Sequence, residues 1–423
     1  MSSEQPQEKA SQSASLLYGD FEWPDNLFAE MYELGSVAFL VYTFGYIVDA
    51  ARKISVDGKE FVGLKLEGDH NQNVAKSNIP NEDSTLKRSF TPEEVKRLIQ
   101  DNEEILSAYE KTSQFRGEKL ARLYESLDEM IARSESSDEE RPLTLEEFDD
   151  KFQTEEPVYG VCKDAINKRI TVVFRGTNDL AFFSNWITNA SVARKDVEVP
   201  EVLKGKIDAE KLKLHTGFHN YLFNKSKETE DAEETTKFDQ ICVDVKALLA
   251  KHQDYKLYVT GHSLGGALST IAAFYLACDE TMPQPVSNIS FASPRVGDKE
   301  FLNATQYLEK TKQMRILRSV NDNDSVTVVP TTGYRHVGLQ VTTYKKGWFS
   351  NIRKPDIDYP NQNDSGWKRF RRRAGNSLLA SLNLSYDHGE YLERIVLVKD
   401  ELEKTTLNAL YMDEDLVGFK IAS

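Results

Sequence analysis

Tyr255-Lys-Leu-Tyr-Val-Thr260, Gly261-His-Ser-Leu-Gly-Gly266 and Ala267-Leu-Ser-Thr-Ile-Ala-Ala-Phe274 run on without a break, and this stretch decides the fold. The first block is short, apolar and β-prone, and predicts a buried strand. The last is rich in Ala and Leu, and predicts a helix. Between them stands a G-x-S-x-G pentapeptide. With a strand entering and a helix leaving, such a turn lifts the Ser oxygen clear of the sheet and requires small residues on either side. The start of the helix also places backbone amides beside the reacting centre, where they stabilise a developing oxyanion. Ser263 is therefore the candidate nucleophile and Leu264, the residue after it, a candidate amide donor.

Working outward, residues from Val158 onward alternate β-rich runs with helical stretches, the pattern of an α/β fold with a largely parallel sheet. Val158–Lys163 and Arg169–Phe174 are expected to pair. Tyr255–Thr260, Val286–Phe291 and Met314–Val320 are expected as core strands, with helices at Phe238–His252 and Gly265–Cys278. A Ser hydroxyl needs a base, and the base needs an acid to hold its tautomer. In this fold the chain order is Ser, acid, His. The loop leaving the 314–320 strand, Asn321-Asp-Asn-Asp324, supplies the acid, and His336 or His388 follows it. Spacing alone leaves Asp322 and Asp324, and the two His, open.

The ordered motifs resemble those of the fungal-type (class 3) triacylglycerol lipases. They are Val172-Val-Phe-Arg-Gly-Thr177, Asn185-Trp-Ile187, His215-Thr-Gly-Phe218, Gly261-His-Ser-Leu-Gly-Gly266, Phe291-Ala-Ser-Pro-Arg-Val-Gly297, Arg318-Ser-Val-Asn321 and His388-Gly-Glu-Tyr391, spread over about residues 158–395. The resemblance implies an α/β-hydrolase fold, with Ser263 as nucleophile, Asp324 as triad acid and His388 as base. Thr177 and the amide of Leu264 would form the oxyanion hole. It also implies acylglycerol as substrate, with phospholipase A1 or galactolipid acyl hydrolysis as alternatives, and no metal or organic cofactor. One departure lies beside the acid, where Asn321-Asp-Asn-Asp-Ser-Val-Thr327 delays the family's proline to Pro330. The rival reading is a catalytically idle hydrolase-fold interaction module. His336 is expected to be a structural or pocket-wall residue, His262 a packing and hydrogen-bonding one, and His215 with His219 too sparse for a zinc site. The segment Asn178–Lys195, with Phe182, Phe183, Trp186 and Ile187, would be a lid over the pocket.

Charge divides the 423-residue chain. Its net charge is −15, yet residues 1–157 hold 17 basic and 34 acidic side chains against 36 and 34 in the rest. Such a chain is a poor nucleic-acid binder, since phosphate contacts need clustered Lys and Arg. We expect a disordered tail over 1–15, an acidic, mainly helical region over 16–157 and the hydrolase domain over 158–423. Within the acidic region, Leu34–Val48 is expected as a buried helix, with Tyr42, Tyr46, Phe39 and Phe44 admitting a membrane-resting alternative. Lys53–Leu66 reads as a hairpin turning at Asp57-Gly58, and 67–88 as loop. Thr91-Pro-Glu-Glu94 starts a helical pattern running to about Arg133 with a break near Gly117, and Thr144-x-x-Glu147 starts another helix.

Three cysteines without a C-x-x-C pair argue against a disulfide framework. With no apolar leader at the start, a cytoplasmic protein is expected. Its partner would be lipid at a membrane or lipid-droplet surface. Trp348, Phe349, Trp367 and Phe370, set among Lys and Arg, suit peripheral contact with anionic lipid. Nothing in the sequence sets an oligomeric state.

Overall fold

The computed structural model describes residues 23–53, 61–67, 74–77, 89–112, 127–132, 142–151, 156–176, 193–225, 235–345, 352–359 and 388–422. The chain forms two compact units. One gathers residues up to Gly35 with Gly176–Asn220 and Asp254–Ser423, and the other gathers Ser36–Arg175 with Tyr221–Gln253.

The first unit is built on parallel pairing. The Lys256–His262 strand pairs in parallel with Val286–Phe291, that strand with Met314–Asn321, and that in turn with Leu339–Thr343. Asp356–Asp358 closes the series in antiparallel. Parallel neighbours need crossovers, and helices Leu264–Ala277 and Lys299–Lys310 supply the first two. These strands are buried along their length, and their polar side chains, among them Asn288, Arg315, Arg318 and Gln340, are buried with the apolar ones. With Leu264–Ala277 starting directly after the Lys256–His262 strand, the chain has the α/β-hydrolase fold with a mostly parallel central sheet. Strand boundaries fall within two residues of those expected.

Polar constellations tie this unit together. Arg315, 1% exposed, donates to Glu30 Oε1 at 2.6 Å, to Ser287 Oγ, to Tyr258 Oη and to Asn408 Oδ1, with its guanidinium 3.7 Å from the Trp23 ring centroid. Removing either charge of such a pair would leave the other buried and uncompensated. Nearby, Glu309 accepts hydrogen bonds from Tyr359 and, at 2.6 Å, from Tyr411, whose oxygen also accepts from Ile316 N at 2.7 Å.

The second unit holds the antiparallel strands Leu143–Asp149, Tyr159–Asp164 and Arg169–Phe174. Against them lies an apolar cluster from Val37, Val41, Phe44 and Ile47 of the Leu27–Lys53 helix with Phe90, Val95, Leu98, Leu145 and Val173. Lys237, 1% exposed, sits between Asp149 at 3.0 Å and Glu156 at 2.9 Å. The units therefore cut across the boundary drawn from charge at residue 157, because strand 143–149 hydrogen-bonds to strand 159–164 and joins them in one sheet.

Several local expectations change. The apolar helix runs Leu27–Lys53 rather than 34–48: Asn26 Oδ1 accepts from Ala29 N at 2.8 Å, and the charge of Glu30 inside the helix is met by Arg315. It is long and apolar enough to cross a membrane by length and composition, but 78% of its apolar window is buried within the protein. Phe44 packs on Phe90 and Phe148, and Tyr46 on Tyr109, so two of the aromatics read as interfacial are core. The segment Thr144–Glu147 is strand, not helix. Phe90 and Leu145 exchange backbone hydrogen bonds at 2.9 and 2.7 Å, and this long-range pairing overrides the local capping signal. The hairpin is Leu64–Glu67 with Val74–Ser77, so residues 74–77 are not loop; Asp57-Gly58 lies outside the described residues.

The helix from Thr91 forms as expected, with Thr91 Oγ1 accepting from Glu94 N and Glu94 Oε2 accepting from Thr91 N. It breaks at Asn102. There the side-chain amide donates to Leu98 O and Val62 O and accepts from Val62 N, competing with the helix's own ladder. Gly117 and the 1–15 tail lie outside the described residues.

Glu309 gives this unit a pH signature. Burial pushes its carboxyl from 4.5 up to about 7, against the two tyrosine hydrogen bonds that favour the charge. A raised acid favours the folded state when protonated, so its contribution is fully present below pH 4.5, declines as pH rises toward 7, and is gone above that. We expect the wild-type melting temperature to fall between pH 5 and 8 by the equivalent of up to about 3 kcal/mol more than that of Glu309→Gln, as measured by calorimetry across that range.

Candidate active site

Ser263 ends the turn between the Lys256–His262 strand and the Leu264–Ala277 helix with φ 60° and ψ −124°, a conformation that side-chain-bearing residues rarely hold. Strain of this kind costs on the order of 1–3 kcal/mol and persists only where surrounding structure fixes it. Here the fixing is specific. Ser263 N donates to Phe291 O at 2.9 Å on the neighbouring parallel strand. Gly266 lets the helix approach that strand, since a Cβ there would lie 3.0 Å from Phe291 O and 3.0 Å from Ser293 Cβ. The pentapeptide's small residues are thus a packing requirement. Leu264 is the first residue of the helix, so its N–H has no intrahelical acceptor and stands next to the Ser263 side chain.

Asp324 and His388 meet. His388 Nδ1 lies 2.9 Å from Asp324 Oδ2, both side chains being almost wholly buried. An ionised carboxylate only accepts, so Nδ1 carries the proton and Nε2 keeps its lone pair. Asp324 also accepts from Val326 N at 2.9 Å on Oδ1 and from Tyr391 Oη at 2.6 Å on Oδ2. Burial alone would push the Asp324 carboxyl up. His388 beside it and the hydrogen bonds from His388, Tyr391 and Val326 outweigh burial and hold it below the ordinary value of 3.8.

The choice between the two acids follows directly. Asp324 is 2% exposed and touches His388; Asp322 is partly exposed, and its backbone N–H donates to Thr343 O. The delayed proline does not disturb the acid, because the short 3₁₀ turn Val326–Val328 starts on the amide that caps Asp324.

His388 is also held through its main chain. His262 Nε2 lies 2.7 Å from His388 O, so the ring donates there, and the two imidazole centroids are 4.5 Å apart. The residue before Ser263 is thereby in contact with the candidate base. Among the described residues, Ser263 Oγ and His388 Nε2 are both buried without a hydrogen-bond partner, two polar atoms left open for chemistry. Catalytic hydrogen bonds commonly close only when substrate is bound.

His336 Nε2 instead faces Thr327 O at 2.8 Å, a structural position. His215 and His219 are both pushed down to about 4 by burial. Among the described residues, no group of three or more His, Cys, Asp or Glu is arranged to hold a metal ion. Thr177, the lid residues Phe182, Phe183, Trp186 and Ile187, and Trp348, Phe349, Trp367 and Phe370 lie outside the described residues. Of the expected lid, Arg194 and Lys195 belong to a strand paired with Lys211–His215. Tyr391 stands in the His388-Gly-Glu-Tyr391 motif, which alone assigns it no role; its signal is its place three residues after His388.

Comparison with known proteins finds a family match over part of the chain. The family model for lipase (class 3) matches residues 171–334. Over residues 171–334 the chain is similar to the class 3 lipases. That region contains Ser263 and Asp324, while His388 follows it. The chain is 32% identical over 139 residues to phospholipase A1-IIgamma of Arabidopsis thaliana, covering 30% of this chain and 32% of that protein. It is 28% identical over 242 residues to a triacylglycerol lipase of the same plant, covering 52% and 46%. The chain thus spans from a third to about half the length of the curated relatives it matches. Among solved structures it is similar to a mono- and diacylglycerol lipase from Aspergillus oryzae, at 22% identity and a TM-score of 0.40, over 57% of this chain and 78% of that one.

The lowered Asp324 carboxyl makes a stability prediction with a definite sign. A carboxyl held below its unfolded value stabilises the fold above pH 3.8, and that contribution is lost as pH falls through the lowered value. Asp324→Asn is therefore expected to melt below wild type at pH 7, with the gap shrinking as pH drops below 3.8. Paired thermal melts at pH 7, 5 and 3 read this; a gap that widens toward acid would contradict it.

Proposed function

We propose that this chain is a serine carboxylester hydrolase that releases fatty acid from acylglycerols. The observation that carries the reading is the buried His388 Nδ1–Asp324 Oδ2 pair at 2.9 Å, which leaves Nε2 basic, in a unit whose nucleophile candidate sits at φ 60°. Ser263 Oγ attacks the acyl carbonyl as His388 Nε2 takes its proton. Asp324 keeps the imidazole in the required tautomer and stabilises the imidazolium. The Leu264 amide and Thr177 donate to the tetrahedral oxyanion, and collapse expels the alcohol, which His388 protonates. Water, activated by the same imidazole, then releases the acid and restores Ser263.

The relatives' names divide between phospholipase A1 and triacylglycerol lipase, and this favours phospholipid sn-1 acyl hydrolysis as the second reading, with galactolipid beside it. The reaction takes place, in this proposal, at a membrane or lipid-droplet surface in the cytoplasm, with Trp348, Phe349, Trp367 and Phe370 as peripheral contacts.

Fatty-acid release from emulsified triacylglycerol, phosphatidylcholine vesicles and galactolipid micelles, with wild type beside Ser263→Ala at equal thermal stability, tests both readings. Wild type is expected to turn over at least one lipid at a rate about a thousandfold or more above Ser263→Ala. The preferred lipid assigns the substrate class. A wild type as inert as the variant on all three would overturn the proposal in favour of an interaction module.

A further inference from the structure

The Asp324 carboxylate carries one more donor than a Ser-His-Asp relay requires. Its Oδ2 receives both His388 Nδ1 at 2.9 Å and the Tyr391 hydroxyl at 2.6 Å, and the tyrosine oxygen in turn accepts from Asn321 N at 3.2 Å. Tyr391 is 2% exposed, so no bulk solvent competes for either bond. It lies on the same short stretch as the base: His388 stands in a turn and Tyr391 opens the helix Tyr391–Leu397. One piece of backbone therefore presents two donors to one oxygen. His262 closes the arrangement, its ring bonded to His388 O and set edge-on to Tyr391 at 5.5 Å between centroids.

We propose that Tyr391 is a positioning residue of the hydrolase reaction: its hydroxyl, held by Asn321 N, shares Asp324 Oδ2 with His388 and so sets how strongly the acid polarises the imidazole. The inference rests on the hydrolase reading above. A donor on Oδ2 draws electron density from the oxygen that faces Nδ1. The imidazole is then less basic than it would be against an unshared carboxylate, and Asp324 itself is harder to protonate. The first effect keeps the base unprotonated to lower pH, and the second keeps the acid ionised beside it. Among the described residues, the charged and titratable groups facing the pair are few. His388 and His262 lie against it, and Arg394 approaches Tyr391 while pairing with Glu390 at 3.2 Å. Asp322 lies two residues before the acid. Arg394 and Glu390 oppose each other in charge, which leaves the hydroxyl as the neutral element that tunes the pair.

The test compares wild type, Tyr391→Phe and protein carrying 3-fluorotyrosine at position 391, on the lipid that wild type hydrolyses. The readouts are kcat and KM from pH 4.5 to 8.5. The acid limb of kcat/KM reports the base of the free enzyme. Tyr391→Phe is expected to move that limb upward by about half a pH unit and to lower kcat on the acid side of the limb about threefold, with KM nearly unchanged. Fluorotyrosine keeps the ring's packing and is a stronger donor, so it is expected to shift the limb downward, which a purely structural role would not produce. Limbs coinciding in all three proteins would overturn the inference while leaving the hydrolase reading intact. Failure of the hydrolase reading itself would show separately, as wild type no faster than Ser263→Ala. Should Tyr391→Phe fail to fold, the fluorotyrosine limb decides alone, upward or unmoved counting against the proposal.

Discussion

A carboxylate removed from water must be met by hydrogen-bond donors or lose its charge, and the site depends on how this chain meets that demand at Asp324. The donors come from two points of the chain: Val326 from the turn just after the acid, His388 and Tyr391 from one stretch more than sixty residues later. The acid's ionised state is thus a product of the tertiary fold. It also fixes the fold in return, since the loop after the Met314–Asn321 strand and the turn before the Tyr391–Leu397 helix are joined at one carboxyl group.

The nucleophile is governed by a second constraint, closeness of backbones. Ser263 is held in an unfavourable conformation by a bond to the next parallel strand, and Gly266 removes the one side-chain atom that would push helix and strand apart. Parallel pairing of 256–262 with 286–291 and of 286–291 with 314–321 then sets the C-terminal strand ends side by side, which is where Ser263 and the Asp324 loop both emerge. Open α/β sheets place their ligand-binding crevices at such ends.

These features differ in how visibly they are written in the chain. The elbow is local: strand, small residues and helix are contiguous, so Ser263 was legible from twenty residues. The parallel strands were legible for a similar reason, as each is a short β-prone run alternating along the chain with a helical stretch. Asp324 was not separable from Asp322 by spacing, because what distinguishes them is burial and the His388 contact, and both arise only on folding. Thr144–Glu147 misled for the opposite reason. Its side chains spell a helix cap, yet Leu145 finds a backbone partner in Phe90, fifty-five residues away. Asn102 breaks a helix that periodicity would continue, by reaching Val62, and Tyr391 carries no local mark of its bond to the acid.

The Leu27–Lys53 helix has its own consequence. Leu27, Met31 and Leu34 find their apolar partners among residues such as Ile289, Leu317 and Tyr391, and Glu30 finds its counter-charge at Arg315, 285 positions later. During synthesis at roughly 5–20 residues per second, that end of the helix waits about 15–60 s before its partners exist. A long apolar helix with a naked carboxylate is then an unfinished surface on the ribosome, exposed to chaperones or to whatever lipid is near. The order in which the chain is made, and not its final stability, sets the period of greatest risk for this protein.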